Sequence, residues 1–531
     1  MHPAPQAIRS PGALAAALLL AFSCSSSPKP ALESVPQAGL EAEPPPRVVP
    51  APTPEDRALA ERAQAEAARH LDLQAELLWS RWVGLEPPAE SEPPAFLFEP
   101  RTVLAVERVA AHEDEGDGRF GRLHAFLAGE LIGRATRAED ERLRELRLEL
   151  LARGRAVVSE PDAEARRRMA SELLRSSEEL LPAIEAQRAA LESVTRTLGW
   201  DSPFLALSAL AGAEPDELLR LATTILDSTD SLWREAFGAV AAREIGLDLA
   251  KVRWEDLPRI YHGAGMELPL RARTPEEALH RTLESMGLSL DRIPRLAVDA
   301  EDREGKEGRP LCLPAPHGAR LAIPAGGGSS HRSLLRDAGC AIFSARLSEE
   351  GALFPPEPVT RAFGSLFARI SEDPSWLAEV GGMTRAEARA RAASSALRRL
   401  YLVRHHAAVI RIEHERSLRG HDLAAHEESH ARWMSRALGF EVPGAWARFA
   451  GTDLLGAVDA LRGELLASLL GRVLGEGWWE RDDAAARLRV HLEAGARGIP
   501  ALLSALEEDR LEADAFVEEM RERLALHLAQ S

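Results

Sequence analysis

Apolar residues recur every three and four positions along most of this 531-residue chain, and this spacing restricts its fold more than any other feature. Side chains three and four apart share one helical face, so each such stretch predicts an amphipathic helix. The stretches are 54–83, 120–155, 162–198, 215–245, 384–418 and 451–474. Strand-like segments are confined to 295–300, 310–314 and 319–324. The sequence therefore predicts a mainly α protein with a small β-sheet.

The first 54 residues have the composition of a leader and a tether. Arg9 precedes an apolar run over 13–22, which is too short to span a bilayer and is typical of a signal peptide. Cys24 follows a segment resembling the lipobox of bacterial lipoproteins, from which Phe22 departs. A Pro- and Ala-rich tract then continues to residue 54. We predict a signal peptide over 1–23 and a lipidated tether over 24–54. The expected location is the bacterial cell envelope, at the outer membrane and facing the periplasm.

Charge and cysteine content exclude several classes of function. The net charge of −18 argues against nucleic acid and anionic lipid surfaces as partners, so membrane contact is expected only through the lipid anchor. The chain has three cysteines, and only Cys312 and Cys340 remain once Cys24 is lipidated. The fold is therefore not a disulfide scaffold.

A helix beginning near Ser333 has the frame of a zinc-peptidase motif with its ligands replaced. In His-Glu-x-x-His, two histidines on one helical face bind zinc and the glutamate activates a water molecule. The corresponding positions here are Arg336, Asp337 and Cys340. A guanidinium repels a cation, and one thiolate falls short of the three ligands that a catalytic zinc needs. The alternative is an ordinary buried helix whose small residues allow close packing. Either Ser329 or Ser330 is the expected N-cap.

The flanking segments give this helix a family resemblance. Together with 283–294, 298–314, 326–328 and 359–377, it resembles the thimet oligopeptidase and oligoendopeptidase F family of zinc metallopeptidases. The resemblance implies a large helical, gluzincin-like fold with a small sheet beside the former active-site helix. It also implies an N-terminal helical part over 55–290 and a metallopeptidase-like part over 291–531.

The resemblance also assigns two further positions. Arg361 stands where the family has a glutamate as its third zinc ligand, although the segment from Cys340 to Arg361 is a few residues shorter than usual. The segment 459–462 resembles the family's Asp-Tyr-Leu-Arg, from a region whose tyrosines donate hydrogen bonds to the scissile carbonyl. Ala460 replaces the tyrosine. All these positions are therefore vestigial, and no catalytic residue and no metal cofactor are expected.

A literal His-Glu-x-x-His also occurs, on a helix predicted over 422–438. It consists of His426, Glu427 and His430. Glu428 and Arg432 put charges where zinc peptidases have uncharged or apolar residues, so we favour a solvated helical face. The alternative is a zinc site completed by Asp459 or Glu464.

These observations predict a catalytically inactive relative of the zinc oligopeptidases, a pseudopeptidase that binds a peptide or a protein partner in a remnant cleft. Asp337 is expected to pair with Arg336 or Arg361, either leaving the second arginine free for a carboxylate or leaving both neutralised. The resemblance also implies that Cys312 and Cys340 lie near each other, where they form either a disulfide in place of the zinc or two separate buried thiols. The alternative function is an active zinc metallopeptidase, an endo-oligopeptidase with a remodelled site or using the literal motif.

Overall fold

The computed structural model describes residues 48–90, 92–113, 118–257, 259–260, 270, 273–324, 330–420, 422–449 and 453–528. The predicted signal peptide, Cys24 and all but the end of the predicted tether lie outside the described residues. Within the described ranges, no helix combines the length and the apolar character needed to cross a membrane.

Helices account for most of the fold, as the apolar periodicity predicts. Before the sheet they are α1 (Pro54–Trp82), α2 (Pro100–Ala110), α3 (Arg119–Ser159), α4 (Ala163–Ser176), α5 (Leu181–Thr197), α6 (Pro203–Leu210), α7 (Pro215–Ser228), α8 (Asp230–Ile245) and α9 (Pro275–Ser285). After the sheet they are α10 (His331–Ser344), α11 (Glu349–Leu353), α12 (Glu357–Ala368), α13 (Pro374–Glu379), α14 (Arg385–Arg419), α15 (Leu423–Leu438), α16 (Leu454–Leu474), α17 (Ala484–Gly495), α18 (Ile499–Ala505) and α19 (Asp514–Leu528). The predicted mainly α fold class is confirmed.

Polar side chains fix where the longer helices begin. Thr53 and Thr384 open α1 and α14 with capping boxes, in which the threonine hydroxyl and a carboxylate three residues later satisfy two backbone N–H groups. Of the two predicted N-caps of α10, Ser330 takes the role: the Ser333 backbone N–H donates to its hydroxyl at 3.1 Å. Ser329 lies outside the described residues.

The sheet has three short strands in the order β1-β3-β2. They are β1 (Leu296–Asp299), β2 (Leu311–Ala315) and β3 (Gly318–Ala322). The pair β1–β3 is parallel, and β2–β3 is an antiparallel hairpin closed by a two-residue loop. Gly318 has a φ of 139°, and a β-carbon there would lie 2.0 Å from the carbonyl oxygen of Arg295. Only glycine fits where the hairpin passes this carbonyl.

The sheet lies between α1 and α10. Arg320, in the central strand, donates hydrogen bonds to the Glu76 carboxylate of α1 from both terminal guanidinium nitrogens. Its guanidinium also lies over the Trp79 ring. On the other face, Leu321 is fully buried and stands opposite Cys312 in the ladder. Directly opposite side chains share a sheet face, so Cys312 and Leu321 both face α10.

Glycines allow α10, α12 and α16 to pack closely beside the sheet. A β-carbon on Gly339 of α10 would lie 2.6 Å from the Phe363 carbonyl oxygen of α12. A β-carbon on Gly463 of α16 would lie 2.8 Å from Cβ of Arg361. These contacts position the helices that carry Arg336, Arg361 and Ala460.

A buried network of charged side chains ties the surrounding helices together. Arg399 of α14 bonds Glu519 of α19 at 2.8 Å and contacts Glu372 at 3.2 Å. Arg369 bonds both Glu519 and Glu464 of α16, each at 2.7 Å. Burial would raise the pKa of Glu372, but Arg399 and Arg332 hold it at about 2. Each buried charge therefore has an opposite charge as its partner.

The hydrophobic core continues across residue 290. One cluster of buried side chains extends in sequence from Leu143 to Leu524, and a second, from Ala60 to Ala206, holds the N-terminal helices. The predicted division into 55–290 and 291–531 stays a prediction.

Candidate functional site

Arg336 and Asp337, at the first two positions of the degenerate motif, form an ion pair on α10. The Arg336 Nε donates to Asp337 Oδ1 at 3.0 Å. Asp337 is buried, and burial raises its pKa while Arg336 opposes the rise. The Arg336 side chain keeps 50% of its surface exposed, so this guanidinium faces solvent from one side while its partner lies within the protein.

Cys340 lies one turn further along α10, against α12 and β2. Its sulfur is 3.5 Å from the Thr360 carbonyl oxygen. A β-carbon on Gly364 would lie 2.6 Å from this sulfur and 3.2 Å from Cγ of Arg336, so the glycine makes room for both side chains. On the sheet side, the neighbouring Cys340 thiol and burial together raise the pKa of Cys312. Both cysteines are free thiols in this structure.

Arg361, at the position of the third ligand, points along its own helix. Its Nε donates to Glu357 one turn earlier, at 2.8 Å. Asp337 thus pairs with Arg336, one of the two arginines expected, and the Arg361–Glu357 pair favours the alternative in which both arginines are neutralised within the protein. Asp459 of α16 is buried beside this pair, and burial raises its pKa to about 7 although Arg361 opposes the rise. Ala460 follows it on the same helix and is half-buried.

A cavity of about 320 Å³ opens between the sheet edge, the end of α1 and the start of α10. Its lining consists of Trp82, Arg309, Pro310, Leu311, Cys312, Ser330, Ser333, Arg336 and Asp337. The Trp82 indole N–H donates to the Arg309 carbonyl oxygen at 2.9 Å and closes one end. A larger hollow of about 580 Å³ lies along α9, but its lining comes from residues 273–284 alone and has no facing wall.

The outer edge of β2 forms one wall of this cavity. A two-residue loop closes on a hydrogen-bonded pair, here Ala315 and Gly318, and such pairs alternate along the ladder. The Ala319 N–H accordingly turns away from β2 and donates to the Arg295 carbonyl oxygen at 2.8 Å. Cys312 and Pro314 therefore present their backbone groups outward. Pro314 fits the strand because its nitrogen faces away from β3.

Four histidines form a row from the literal motif towards Arg361, of which two are buried and two, His405 and His406, are half-buried. His426 and His430 lie on one face of α15, and His405 and His406 lie on α14. Burial is the main cause that lowers the pKa of His405 to about 4 and of the other three to about 3. Among the described residues, neither ring nitrogen of His430 has a hydrogen-bond partner.

The literal motif is therefore not the solvated face that the sequence favoured. His426 and His430 are 8% and 2% exposed, because their face of α15 packs against α14. Glu427 lies on another face and bonds Arg448 at 2.7 Å. Glu464 was one of the two candidates for the third zinc ligand of the literal motif. Its carboxylate instead accepts hydrogen bonds from Arg369 and Ser365.

The residues at the family's zinc positions do not fit a zinc ion. Arg336 and Arg361 have no lone pair to donate, and the Asp337 carboxylate is paired with Arg336. In the part of the chain that the structure describes, no three His, Cys, Asp or Glu side chains are grouped so that they could hold a metal ion.

Two features near the site could not be recognised from the sequence. His406 lies close enough to Arg361 for the guanidinium to contribute to its lowered pKa. Asp459 was considered only as a zinc ligand, although its burial beside Arg361 gives it the raised pKa. Neither carries a sequence signal, because each depends on helices distant in the chain that pack around it.

Comparisons with known proteins agree with this geometry at the level of fold. No protein-family model matches the chain, and no curated protein sequence matches it. A structure titled as an oligoendopeptidase F from Bacillus anthracis has a TM-score of 0.52 and 13% identity, covering 90% of this chain and 84% of its own. Metallocarboxypeptidase 1 of Trypanosoma cruzi has a TM-score of 0.50 and 13% identity, covering 88% of this chain and 100% of its own.

Another structure titled as an oligoendopeptidase F has a TM-score of 0.54 and 14% identity, over 90% of this chain and 92% of its own. Identities this low establish the fold alone. The resemblance predicted from the α10 region and its flanking segments is confirmed at that level. This chain has the same helical fold as the oligoendopeptidase F and metallocarboxypeptidase structures.

Proposed function

We propose that this protein is a catalytically inactive relative of the zinc oligopeptidases, a pseudopeptidase that binds an extended peptide segment in the remnant of the cleft. The observation that carries the proposal is the juxtaposition of replaced ligands with a persisting cavity. Arg336 and Asp337 of α10 line a cavity of about 320 Å³, one wall of which is the outward edge of β2.

The ligand chemistry supports the loss of hydrolysis. A peptidase of this fold needs a metal to activate water and to polarise the scissile carbonyl. Arg336 and Arg361 supply positive charge where a cation would have to bind, and each is already paired with a carboxylate. Ala460 offers no hydroxyl group to the carbonyl.

The strand edge supports the binding of a peptide. An extended peptide adds to a sheet by backbone hydrogen bonds, whatever its side chains. The outward N–H and C=O of Cys312 provide such a pair of bonds inside the cavity. The Arg336 and Arg309 guanidiniums at its walls are suited to acidic side chains or a terminal carboxylate.

The proposal includes an envelope location. Lipidation of Cys24 would hold the globular part on the outer membrane, facing the periplasm, with residues up to 54 as the tether. Peptides or a protein partner in that compartment would then be the ligands. Mass analysis of the membrane-extracted protein tests this: we expect an acylated N-terminal cysteine, whereas an intact N-terminus would contradict the anchor.

Metal content and hydrolysis test inactivity together. We expect the full chain, loaded with zinc and then desalted, to retain no stoichiometric zinc by elemental analysis and to leave a fluorogenic oligopeptide uncleaved. A double variant, His426→Ala with His430→Ala, controls for the literal motif. One zinc ion per chain that disappears in this variant, together with cleavage, would instead make the protein an active metallopeptidase.

A backbone substitution tests the strand edge. Cys312→Pro removes the outward N–H at a position equivalent to that of Pro314, so the strand itself should persist. With reductant present, we expect this variant to bind a fluorescein-labelled mixed-sequence oligopeptide at least tenfold more weakly in fluorescence anisotropy. Cys312→Ala keeps the N–H and isolates its contribution. Equal binding by both variants would refute strand addition.

A further inference from the structure

The two cysteines of the globular part lie against each other at the former zinc position. They come from β2 and α10, which pack against each other, and the Cys340 thiol is close enough to Cys312 to be the main cause of its raised pKa. A buried residue touches about 6–12 others, so two cysteines placed at random among the roughly 470 residues after the tether would meet in about one case in 50. A chain this poor in cysteine therefore has a pair where chance predicts two separate thiols.

Cys312 can be reached from solvent, and both cysteines lie close to Arg336. Cys312 lines the cavity, so one arm of a small disulfide can reach it from solvent. Arg336 stands one turn before Cys340 and lies close to both sulfurs: Asp337 is the main cause of its raised pKa, and the two sulfurs also contribute. The thiolate is the form that attacks a disulfide, and because the pKa of the Cys312 thiol is raised, the exchange should become faster as the pH rises.

The packing on the opposite side supports a short sulfur–sulfur approach. The absence of a β-carbon at Gly364 lets the Cys340 sulfur rest on the backbone of α12. From the sheet side, the ladder holds Cys312 opposite the fully buried Leu321, which fixes the direction of its side chain towards α10. Both thiols are thus held in place by backbone elements that cross at this point.

We propose that Cys312 and Cys340 form a reversible disulfide that links the cavity edge of β2 to α10. The oxidant is an organic disulfide or a thiol–disulfide oxidoreductase. One cysteine thiolate attacks the incoming disulfide, forms a mixed disulfide and releases the first thiol. The second cysteine then attacks the protein sulfur of the mixed disulfide and releases the other thiol. Two cysteine thiols and one disulfide thus become one internal disulfide and two released thiols, and the exchange is balanced.

The link would act on the element that forms the cavity wall. It joins β2, an edge strand of five residues, to a helix that is packed on both sides. Cross-linking two distant points of the chain removes freedom from the unfolded state, so the oxidised protein should be more stable. This inference rests on the contact between the two thiols and does not require the proposed peptide binding.

Peptide mapping of the oxidised full chain tests the proposal. The reduced protein is incubated with oxidised glutathione, quenched in acid, unfolded, alkylated and digested. We expect a cross-linked peptide pair containing Cys312 and Cys340, which dithiothreitol converts back to two alkylated peptides. Because each cysteine is identified by its own peptide, Cys24 does not affect the result. Recovery of both cysteines as separately alkylated or separately glutathionylated peptides would overturn the proposal.

Single variants follow the same chemistry with one thiol removed. In Cys340→Ala, and likewise in Cys312→Ser, the remaining thiol has no neighbour to displace glutathione, so a mixed disulfide should accumulate. Wild-type protein should carry none at the end of the reaction. Oxidation should raise the melting temperature of the wild type by on the order of a few degrees and leave Cys340→Ala unchanged. A stable mixed disulfide in the wild type, or equal shifts in both proteins, would contradict the internal bond.

Discussion

Gly339 lies so close to Phe363 that a β-carbon at this glycine would stand 2.6 Å from the Phe363 carbonyl oxygen. Cβ of Phe367 would be 2.8 Å away on the same side. The backbones of α10 and α12 therefore meet here without a side chain between them. The ion pair of Arg336 and the thiol of Cys340 flank this contact on α10, so the crossing sets the positions of both.

Gly339→Ala should consequently destabilise the protein, by about 2–4 kcal/mol, because a methyl group would have to push apart two packed helices. Gly133→Ala is the matched control, since Gly133 is exposed within α3 and a β-carbon there would meet no described residue beyond its own helix within 4 Å. We expect the control to gain up to about 1 kcal/mol from helix propensity. Urea unfolding followed by circular dichroism measures both. Equal effects at the two glycines would contradict the close crossing.

The histidine row should make the fold labile to acid. The pKa of His430 is lowered to about 3, whereas an unfolded chain takes up the proton near 6.5. Stability from the neutral ring is therefore complete above about pH 6.5 and is lost progressively as the pH falls towards 3. For one histidine the loss reaches about 2 kcal/mol at pH 5.

His430→Leu should remove part of this loss, so the variant gains stability relative to the wild type between pH 7 and pH 5. Urea midpoints at the two pH values measure the change. His280→Gln is the control, because the His280 side chain is 51% exposed on α9. Identical pH slopes for wild type and His430→Leu would show that the ring is not buried and neutral.

Asp459 should make the fold less stable as the pH rises, whereas His430 makes it less stable as the pH falls. Its pKa is raised to about 7 in the folded protein, so stability from the neutral carboxyl is complete below about pH 4 and is lost as the pH rises through 7. Asp459→Asn keeps the side chain neutral and should be more stable than the wild type at pH 8, by about 2 kcal/mol relative to the difference at pH 5. Asp482→Asn, at an exposed position, serves as the control. An unchanged pH slope would argue against a buried, unpaired carboxyl.

Removal of Arg399 should expose the dependence of the core on its charge network. Its side chain is 3% exposed and contacts both Glu372 and Glu519. Arg399→Met leaves these carboxylates with fewer cations and should cost about 3–5 kcal/mol of unfolding free energy. Arg153→Met, in the exposed pair with Glu149, should stay within about 0.5 kcal/mol. Comparable losses in the two variants would mean that Arg399 is solvated.

Local patterns predicted the helices well where the chain itself ends them. The predicted helix over 384–418 is α14 to within one residue at each end, because Thr384 caps its start and Gly420 follows its end. The predicted helix over 162–198 is divided by a 3₁₀ turn over Ser177–Leu180, which the periodicity alone did not reveal. The next helix, α5, begins at Leu181 and has Pro182 in its first turn. Proline in the first turn of a helix is a local signal that can be used in this way.

The predicted helix over 215–245 breaks at Thr229 for a reason that no local pattern contains. The buried Arg404 donates to the Leu226 carbonyl oxygen at 3.0 Å and to the Thr229 hydroxyl at 2.7 Å, which satisfies the end of α7. The same guanidinium donates to the carbonyl oxygens of Arg436 and Ala437 near the end of α15. One arginine from α14 thus ends two helices that are distant in sequence.

The candidate site was predictable in its positions and only partly in its contacts. Residue chemistry at Arg336, Cys340 and Arg361 was sufficient to question a zinc site, and the expected neighbourhood of Cys312 and Cys340 is present. The pairing of Arg361 with Glu357 follows a helical spacing of four that was overlooked. The burial of His430 depends on how α15 packs against α14. The charged residues Glu428 and Arg432, which lie on other faces of α15, suggested a solvated helix instead.

Pro314 has a consequence for how copies of this protein behave towards one another. A free strand edge is a template for pairing with the edge of a second molecule, and such pairing can propagate into aggregates. Here the edge is five residues long, and one of its outward positions lacks an N–H group. The proposed peptide would need only the backbone groups of Cys312, whereas a continuous ladder between two molecules would lack a hydrogen bond at Pro314. The edge of β2 is therefore a poor template for polymerisation.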